Sequence, residues 1–302
     1  MNKIEFGDCR ETMRKWASEG VKAQTCVTSP PYFGLRDYGH DGQIGLEETP
    51  EEYIKAMVEV FRCVWDVLED DGTLWLNIGD SYAGNNSRAS NNGRAGFGNA
   101  REKVVNRTGE GLKTKDLIGI PWMLAFALRA DGWFLRQDII WHKPNPMPES
   151  VQDRCTKAHE YIFLLTKSQK YYYDHEAIKD PVKDDWGTRD RANGKYHNEG
   201  TGLQPHSGLE KSYEMANKRS VWSVPVKPYT GAHFAVFPSE LIEPCILAGA
   251  PLGGIVLDPF MGSGTTAQVS QDLGRQYIGC ELNPAYEKLQ KKRTAQTSLG
   301  FA

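Results

Sequence analysis

Paired cysteines are missing from this sequence: its six cysteines are scattered, and no two of them stand in a C-x-x-C arrangement. Zinc sites and redox-active disulfides commonly use such pairs, so we expect neither a metal site nor a disulfide framework. No apolar run approaches the ~20 residues that a membrane-spanning helix needs. The N-terminus also lacks the charged and then apolar layout of a secretory signal. These absences predict a cytoplasmic protein with reduced, buried thiols and no membrane contact.

A strong charge of one sign is missing too, because the formal net charge of the 302 residues is only −3. An overall basic composition is typical of proteins that bind nucleic acid, but a local basic face is sufficient for such binding. The hydrophobic content of 39% and the charged content of 25% are those of an ordinary globular protein. The length fits one large domain, or one domain with a large insertion.

The C-terminal segment 253–283 has the pattern of a strand, a glycine loop, a helix and a second strand. The first strand ends at Asp258, the loop carries Gly262 and Gly264, and the second strand ends at Glu281. Backbone N–H groups at the start of such a helix attract anions, and an acid after the second strand can accept hydrogen bonds from ribose hydroxyls. This unit therefore predicts a site for a nucleoside cofactor.

The glycine loop by itself leaves the identity of the cofactor open. Its sequence Gly262-Ser-Gly-Thr-Thr-Ala267 also fits the G-x-G-x-x-A pattern of nicotinamide dinucleotide sites. However, Asp258-Pro-Phe-Met separates the strand from the glycines and places a negative charge where a pyrophosphate would lie. Only about twenty residues follow Glu281, too few to complete a doubly wound sheet. The rest of the sheet must come from upstream, so the strand order is permuted.

The N-terminal part of the chain supplies two more strand ends. Strand 3–6 is followed by Asp8, and strand 23–27 leads into Ser29-Pro30-Pro31-Tyr32, because two prolines cannot lie inside a central ladder. Ligands bind at the carboxyl ends of strands in open α/β sheets. A planar base could stack on Tyr32 while its exocyclic amine donates to the Ser29 hydroxyl and the Pro30 carbonyl. Such a site would act by positioning, without a covalent intermediate. A purely structural turn with a packed tyrosine is an equal alternative.

Local patterns predict the remaining elements. Thr49-Pro50-Glu51-Glu52 has the N-cap, the proline and the glutamate of a helix start, and the apolar stripe continues to Leu68 before a turn at Asp70-Asp71-Gly72. The other predicted elements are strand 73–78, helix 121–128, an antiparallel pair of strands 134–141 and 160–166 at one sheet edge, and helix 239–247, in which Pro244 should cause a kink or a loose first turn.

Two long polar regions interrupt these elements. Residues 84–111 are rich in asparagine, glycine and basic residues, which suits either a mobile basic loop that orders on a polyanion or a solvated insertion. Residues 168–230 are polar and aromatic-rich, and form either an inserted recognition region or a loop-rich excursion. The basic residues that suit either DNA contact or surface salt bridges are Arg88, Arg94, Arg101, Lys143 and Arg154.

Four motifs, taken in their order, resemble those of a known family. Val27-Thr-Ser-Pro-Pro-Tyr32 resembles the catalytic motif of amino-group DNA methyltransferases, in the version associated with cytosine-N4 enzymes. Asp258-Pro-Phe-Met-Gly-Ser-Gly-Thr-Thr266 is similar to the S-adenosylmethionine motif of that family. Phe6-Gly-Asp8-Cys9 and Cys280-Glu281-Leu-Asn283 match its N-terminal cofactor segment and its ribose-binding acid. The order of the motifs is similar to that of the β-class.

The resemblance implies an α/β protein with the Rossmann-like, S-adenosylmethionine-dependent methyltransferase fold and a mixed, mostly parallel sheet of about seven strands. Residues 1–167 would form the catalytic part of the domain, including the mobile basic loop 84–111. Residues 168–230 would be a target-recognition insertion, and residues 231–302 would be the cofactor-binding part of the same domain. The target base would leave the duplex to reach the methyl donor.

The resemblance also implies roles for individual residues. The flipped base would be held by Ser29, Pro30, Pro31 and Tyr32. The side chains of Thr265 and Thr266 are expected to cap the helix, and Phe33 is expected to pack in the core. The residues implied to bind S-adenosylmethionine are Asp8, Cys9, Asp258, Phe260, Gly262, Gly264, Thr265 and Glu281.

The target base and the partners follow from the same resemblance. Ser29 favours cytosine-N4, because adenine-N6 members usually carry Asp or Asn at this position; adenine-N6 is the alternative. No cysteine follows the two prolines, which argues against a C5-cytosine enzyme. The implied partners are duplex DNA and a cognate restriction endonuclease in a bacterial or phage-infected host, with no metal. More distant alternatives are a dinucleotide oxidoreductase, a non-catalytic DNA-binding module, and an amine methyltransferase acting on RNA or protein.

Overall fold

Ten strands and six α-helices make up the part of the chain that the computed structural model describes, residues 1–35, 39–40, 42–84, 111–181, 214–226 and 237–295. The strands are β1 (Asn2–Phe6), β2 (Ala23–Thr28), β3 (Leu68–Ile78), β4 (Phe134–His142), β5 (His159–Thr166), β6 (Asp180–Pro181), β7 (Met215–Ala216), β8 (Val221–Ser223), β9 (Ile255–Asp258) and β10 (Gln276–Glu281). The helices are α1 (Cys9–Ser18), α2 (Pro50–Val67), α3 (Ile120–Ala130), α4 (Ser239–Gly249), α5 (Thr265–Asp272) and α6 (Glu287–Ala295).

One mixed sheet holds eight of these strands in the order β1-β10-β9-β2-β3-β5-β4-β8, and β6 pairs with β7 apart from it. The five strands from β1 to β3 are parallel, whereas β5 runs antiparallel to both β3 and β4. The C-terminal strands β9 and β10 lie between β1 and β2, which confirms the permuted order. The predicted fold class is therefore correct, with one strand more than expected.

The extra strand changes one edge of the sheet. The predicted antiparallel pair is present as β4 and β5, but it does not form the edge, because β8 pairs with β4 in parallel, with Val221 opposite Ile140. Trp222 of β8 is buried and packs with the sheet core, which favours this pairing. A segment of region 168–230 thus belongs to the main sheet.

Helices cover both faces of the sheet. Met13, Tyr53 and Leu124, from α1, α2 and α3, pack in the core on one face, and Leu241 and Val269, from α4 and α5, pack on the other. The predicted capping box of α2 is confirmed by reciprocal hydrogen bonds between Thr49 and Glu52. Burial of the apolar helix faces against the sheet is the main stabilising contribution of this arrangement.

Two local predictions need correction. The strand after α2 begins at Leu68, not at Thr73, because Leu68 pairs with Ala23 and a register shift accommodates the acidic residues that follow. Gly72 permits this course, since a Cβ there would lie 2.9 Å from the Glu69 carbonyl oxygen. Helix α4 continues through Pro244 to Gly249 and is not confined to a loose turn. Its buried residues Leu241 and Ile246, on both sides of the proline, hold it on the sheet.

All six cysteines are free thiols, and all except Cys155 are buried. None of the helices that the structure describes has the length and apolar character needed to cross a membrane.

Candidate active site

The residues predicted at strand ends meet along one edge of the sheet. Parallel pairing places the carboxyl ends of β1, β10, β9, β2 and β3 side by side. Asp8, Glu281, Asp258 and Ser29 lie at or directly after four of these ends. The Gly7 N–H donates to the Glu281 carbonyl over 2.9 Å, which joins the tips of β1 and β10. This edge is where ligands bind in open α/β sheets.

Asp258 connects the glycine loop to the neighbouring strand. Its carboxylate is buried and accepts hydrogen bonds from the hydroxyls of Thr28 and Thr266, both at 2.6 Å, and from the Phe260 N–H at 3.0 Å. Burial outweighs these bonds and raises the pKa of Asp258 to about 6. The carboxylate therefore organises the loop from beneath and ties it to the end of β2, directly before Ser29.

The start of α5 differs from the prediction that the threonine side chains cap it. The N-cap is Gly264, with φ of 89°, and no side chain caps the helix. Thr266 instead donates to Asp258, and Thr265 accepts from Arg293 over 2.7 Å. The capping prediction is wrong because the tertiary fold brings a buried carboxylate within reach, and a charged acceptor makes the stronger hydrogen bond.

Glu281 holds the same loop from the other side. One carboxylate oxygen accepts from the Gly262 N–H at 2.7 Å and the other from the Asn283 N–H at 2.8 Å. Burial raises the pKa of this carboxyl group despite the two backbone donors. Each oxygen has a further lone pair, so the group can still accept from a ligand hydroxyl.

Asp8 caps α1 and pairs with a neighbour. It accepts from the Arg10 N–H at 2.8 Å and from the Arg10 guanidinium at 2.6 Å. The Arg10 side chain lowers the pKa of Asp8. Cys9 is the buried first residue of α1, and burial raises the pKa of its thiol to about 12. The role of Asp8 and Cys9 in binding S-adenosylmethionine stays a prediction.

The Ser29-Pro30-Pro31-Tyr32 turn is held by side chains from other elements. The Tyr32 hydroxyl donates to Glu160 at 2.6 Å, and the Tyr53 hydroxyl donates to the Pro31 carbonyl at 2.8 Å. Among the described residues no donor hydrogen-bonds to the Pro30 carbonyl. Phe33 is buried, as predicted, with its ring centroid 5.6 Å from that of Tyr53.

Sequence reasoning missed Glu160 at this site. It considered only the carboxyl ends of strands, but β5 is antiparallel to β3, so its amino end lies at the same edge. Glu160 stands there beside Asn77, whose side-chain amide donates to it over 3.3 Å. The available signal was an acidic residue at the start of an otherwise apolar strand.

The basic residues proposed for DNA contact have intramolecular partners where the structure describes them. Lys143 pairs with Glu160 and lies 4.3 Å from the Trp141 ring centroid. Arg154 pairs with Glu149 at 2.6 Å and lies 4.1 Å from the Tyr82 ring centroid. Arg88, Arg94 and Arg101 lie outside the described residues. Within the described part of the chain, no three acidic, histidine or cysteine side chains converge as a metal-ligand set.

The permuted mixed sheet, with its glycine loop and the acidic residues along one edge, defines the α/β methyltransferase class. A family model described as DNA methylase (N6_N4_Mtase) matches residues 23–292. The chain therefore belongs to this N6/N4 family of DNA methyltransferases, and the oxidoreductase and non-catalytic alternatives no longer apply.

Relatives and solved structures agree with this placement. The Type II methyltransferase M.SmaI of Serratia marcescens is 49% identical over 291 residues, which cover 96% of this chain and 90% of that protein. M.Cfr9I of Citrobacter freundii, another Type II methyltransferase, is 50% identical over 93% of this chain and 83% of its own length. The cytosine-N4-specific PvuII DNA methyltransferase matches at a TM-score of 0.64 and 17% identity, over 99% of this chain and 88% of that one. The last likeness establishes the fold alone.

Proposed function

We propose that the protein transfers a methyl group from S-adenosylmethionine to the exocyclic N4 amine of cytosine in duplex DNA. The observation that carries this proposal is the juxtaposition of the Ser29–Tyr32 turn and the glycine loop, joined by the Thr28–Asp258 hydrogen bond. Cytosine is favoured by Ser29, which offers a hydroxyl where adenine-N6 members of the family usually carry Asp or Asn. N6-adenine methylation by the same turn is the second candidate.

The glycine loop has the features that the methyl donor requires. The Ser263 hydroxyl is buried and has no hydrogen-bond partner among the described residues, so a polar group of a ligand would satisfy it. A Cβ at Gly262 would approach nothing nearer than the Phe260 carbonyl at 3.9 Å, which leaves room beside the loop. Phe260, Gly262 and Glu281 would hold the donor, with Glu281 accepting from its ribose hydroxyls.

When bound, S-adenosylmethionine would supply the methyl group: its sulfur–methyl bond breaks as the amine nitrogen forms the new bond, S-adenosylhomocysteine leaves, and one amine proton passes to solvent. The protein's residues position the amine for this displacement. The Ser29 hydroxyl and the Pro30 carbonyl would accept hydrogen bonds from its two N–H groups, and the Tyr32 ring would stack on the base. Such orientation moves the nitrogen lone pair toward the methyl group, and well-oriented reactants gain much of their rate in this way.

Recognition of the target sequence and of partners forms the rest of the proposal. Region 168–230 and the loop 84–111 would contact the duplex, with Arg88, Arg94 and Arg101 on phosphates. Lys143 and Arg154 would join them only by leaving the acidic partners that they contact here. A cognate endonuclease that cuts the unmethylated site is the partner suggested by the Type II names of the relatives.

Nucleoside mass spectrometry tests the reaction. Unmethylated bacterial genomic DNA, which presents a large variety of short target sequences, is incubated with the protein and S-adenosylmethionine, digested and analysed. N4-methylcytosine that is absent with Tyr32→Ala supports the proposal, and N6-methyladenine assigns the second candidate. The proposal is overturned if protein that binds S-adenosylmethionine in calorimetry forms neither product. Circular dichroism shows whether Tyr32→Ala is folded.

A further inference from the structure

Glu160 is a charged residue at the active-site edge with an unusual set of contacts. Its side chain is only 14% exposed, and its two carboxylate oxygens have different partners. One oxygen accepts from the Tyr32 hydroxyl at 2.6 Å and from the Asn77 amide at 3.3 Å. The other accepts from the Lys143 ammonium group. A carboxylate in this position makes a stronger bond to the tyrosine hydroxyl than a neutral acceptor would.

Lys143 is the cationic partner of the half-buried Glu160 side chain. The lysine side chain is 18% exposed and lies over the Trp141 ring, with 4.3 Å from its nitrogen to the ring centroid. Removing a charged partner from a carboxylate that is largely withdrawn from solvent is destabilising. These contacts leave the lysine poorly placed to reach a DNA phosphate. Its place in the fold is that of a counter-ion at the active site.

The Tyr32 ring has a second anchor besides its hydroxyl. A Cβ at Gly79 would lie 2.7 Å from Cε2 of Tyr32 and 3.4 Å from Cδ of Glu160. The ring edge therefore rests on the bare backbone at the end of β3. The hydroxyl bond fixes one end of the ring and the glycine fixes its edge, so together they determine the plane in which the ring lies. Burial and the neighbouring Glu160 also raise the pKa of Tyr32, which keeps its hydroxyl protonated as a donor at neutral pH.

We propose that Glu160 is a positioning residue for catalysis, which sets the plane of Tyr32 through its hydroxyl, and that the salt bridge to Lys143 holds the Glu160 side chain in place for this. The inference rests on the proposed stacking of the target base on Tyr32. Glu160 touches neither the base nor the cofactor in this scheme. It acts through Tyr32, and its effect therefore depends on the Tyr32 hydroxyl.

A double-mutant cycle tests this dependence. Single-turnover methyl transfer to the same genomic DNA is measured for the wild type, Glu160→Ala, Tyr32→Phe and the double variant. Loss of positioning is expected to slow each single variant ~10- to 100-fold. The double variant should be at most about twofold slower than the slower of the two single variants, because the two substitutions remove the same interaction. The Kd for S-adenosylmethionine should stay unchanged in all four.

Asp131→Asn serves as the matched control and should keep the wild-type rate. Asp131 forms a salt bridge with Arg62 at 2.5 Å and caps the C-terminus of α3. The other end of α3 is bound to Asp80 through the Ile120 N–H at 3.1 Å, so Asp131 lies at the opposite edge of the sheet. The control therefore removes a paired carboxylate far from the site.

The outcomes separate this inference from the proposed function. A wild-type rate for Glu160→Ala, or losses that multiply in the double variant, would overturn the positioning role. If Glu160→Ala does not fold, Lys143→Met tests the inference instead. This variant is expected to transfer the methyl group more slowly with unchanged affinity for S-adenosylmethionine. A wild-type rate would refute the inference. Wild-type protein that methylates no DNA amine would instead refute the proposed function.

Discussion

The buried carboxylate of Asp258 provides a quantitative test of how the cofactor loop is built. Its pKa rises from an ordinary value of 3.8 to about 6 because burial disfavours the charged form. The folded protein thus binds more protons than the unfolded chain between these two pH values. Its free energy of unfolding should therefore fall as pH rises from about 4 to 6. At 1.36 kcal/mol per unit, the ionised group costs ~3 kcal/mol above this window.

Asp258→Asn should remove this cost while preserving the shape of the side chain. The amide oxygen can still accept from the Phe260 N–H, and its nitrogen can donate to the Thr266 hydroxyl, which can reverse its role. We expect the variant to match or exceed the wild type at pH 8, by up to ~3 kcal/mol. Below pH 4 this advantage should disappear.

Urea unfolding of both proteins at intervals between pH 4 and pH 8, without cofactor, measures the difference directly. Comparing the two proteins cancels the titration of the other groups, and Asp131→Asn controls for the loss of one carboxylate. A variant that is less stable than the wild type at pH 8 by more than about 1 kcal/mol would refute the reasoning. It would mean that the charge-assisted hydrogen bonds outweigh the burial of the charge.

Three further substitutions have defined consequences. Gly79→Ala should slow methyl transfer about tenfold with unchanged cofactor affinity, since its Cβ would displace the Tyr32 ring; equal rates would contradict this. Glu281→Gln places an amide against a backbone N–H, and calorimetry should show at least ~10-fold weaker binding of S-adenosylmethionine. Gly264 has a φ of 89°, and a Cβ at this position would lie 3.3 Å from the Gln290 Cα. Gly264→Ala should therefore lower the free energy of unfolding by ~1–2 kcal/mol. An unchanged melting temperature would contradict this.

The hydrogen bond between Thr28 and Asp258 explains how the cofactor loop and the catalytic turn come to lie together. The two residues are 230 positions apart in the chain. Their strands, β2 and β9, are neighbours only because the C-terminal unit inserts into the sheet beside an N-terminal strand. The bond fixes the residue that precedes Ser29 against the base of the glycine loop. A displacement of either part would therefore move the other.

The sequence by itself determined the elements that depend on local patterns. The glycine loop between two apolar strands, the capping box at Thr49 and the proline turn after β2 follow from short-range sterics and hydrogen bonds, and the structure has them where the sequence predicts. The permuted order was also predictable, because the Ser29–Tyr32 motif precedes the glycine-loop motif in the chain. Predicting these features requires only the identities of residues close in sequence and the rule that ligands bind at the carboxyl ends of parallel strands.

Only the tertiary structure decided which side chains complete the site. Thr266 donates to Asp258 because folding places a buried carboxylate beside it, and local capping preferences could not show this. Glu160 reaches Tyr32 because β5 runs antiparallel, which brings an amino end to an edge otherwise formed by carboxyl ends. Strand direction depends on which long-range pairing buries the most apolar surface and satisfies the backbone, and local sequence does not encode that choice.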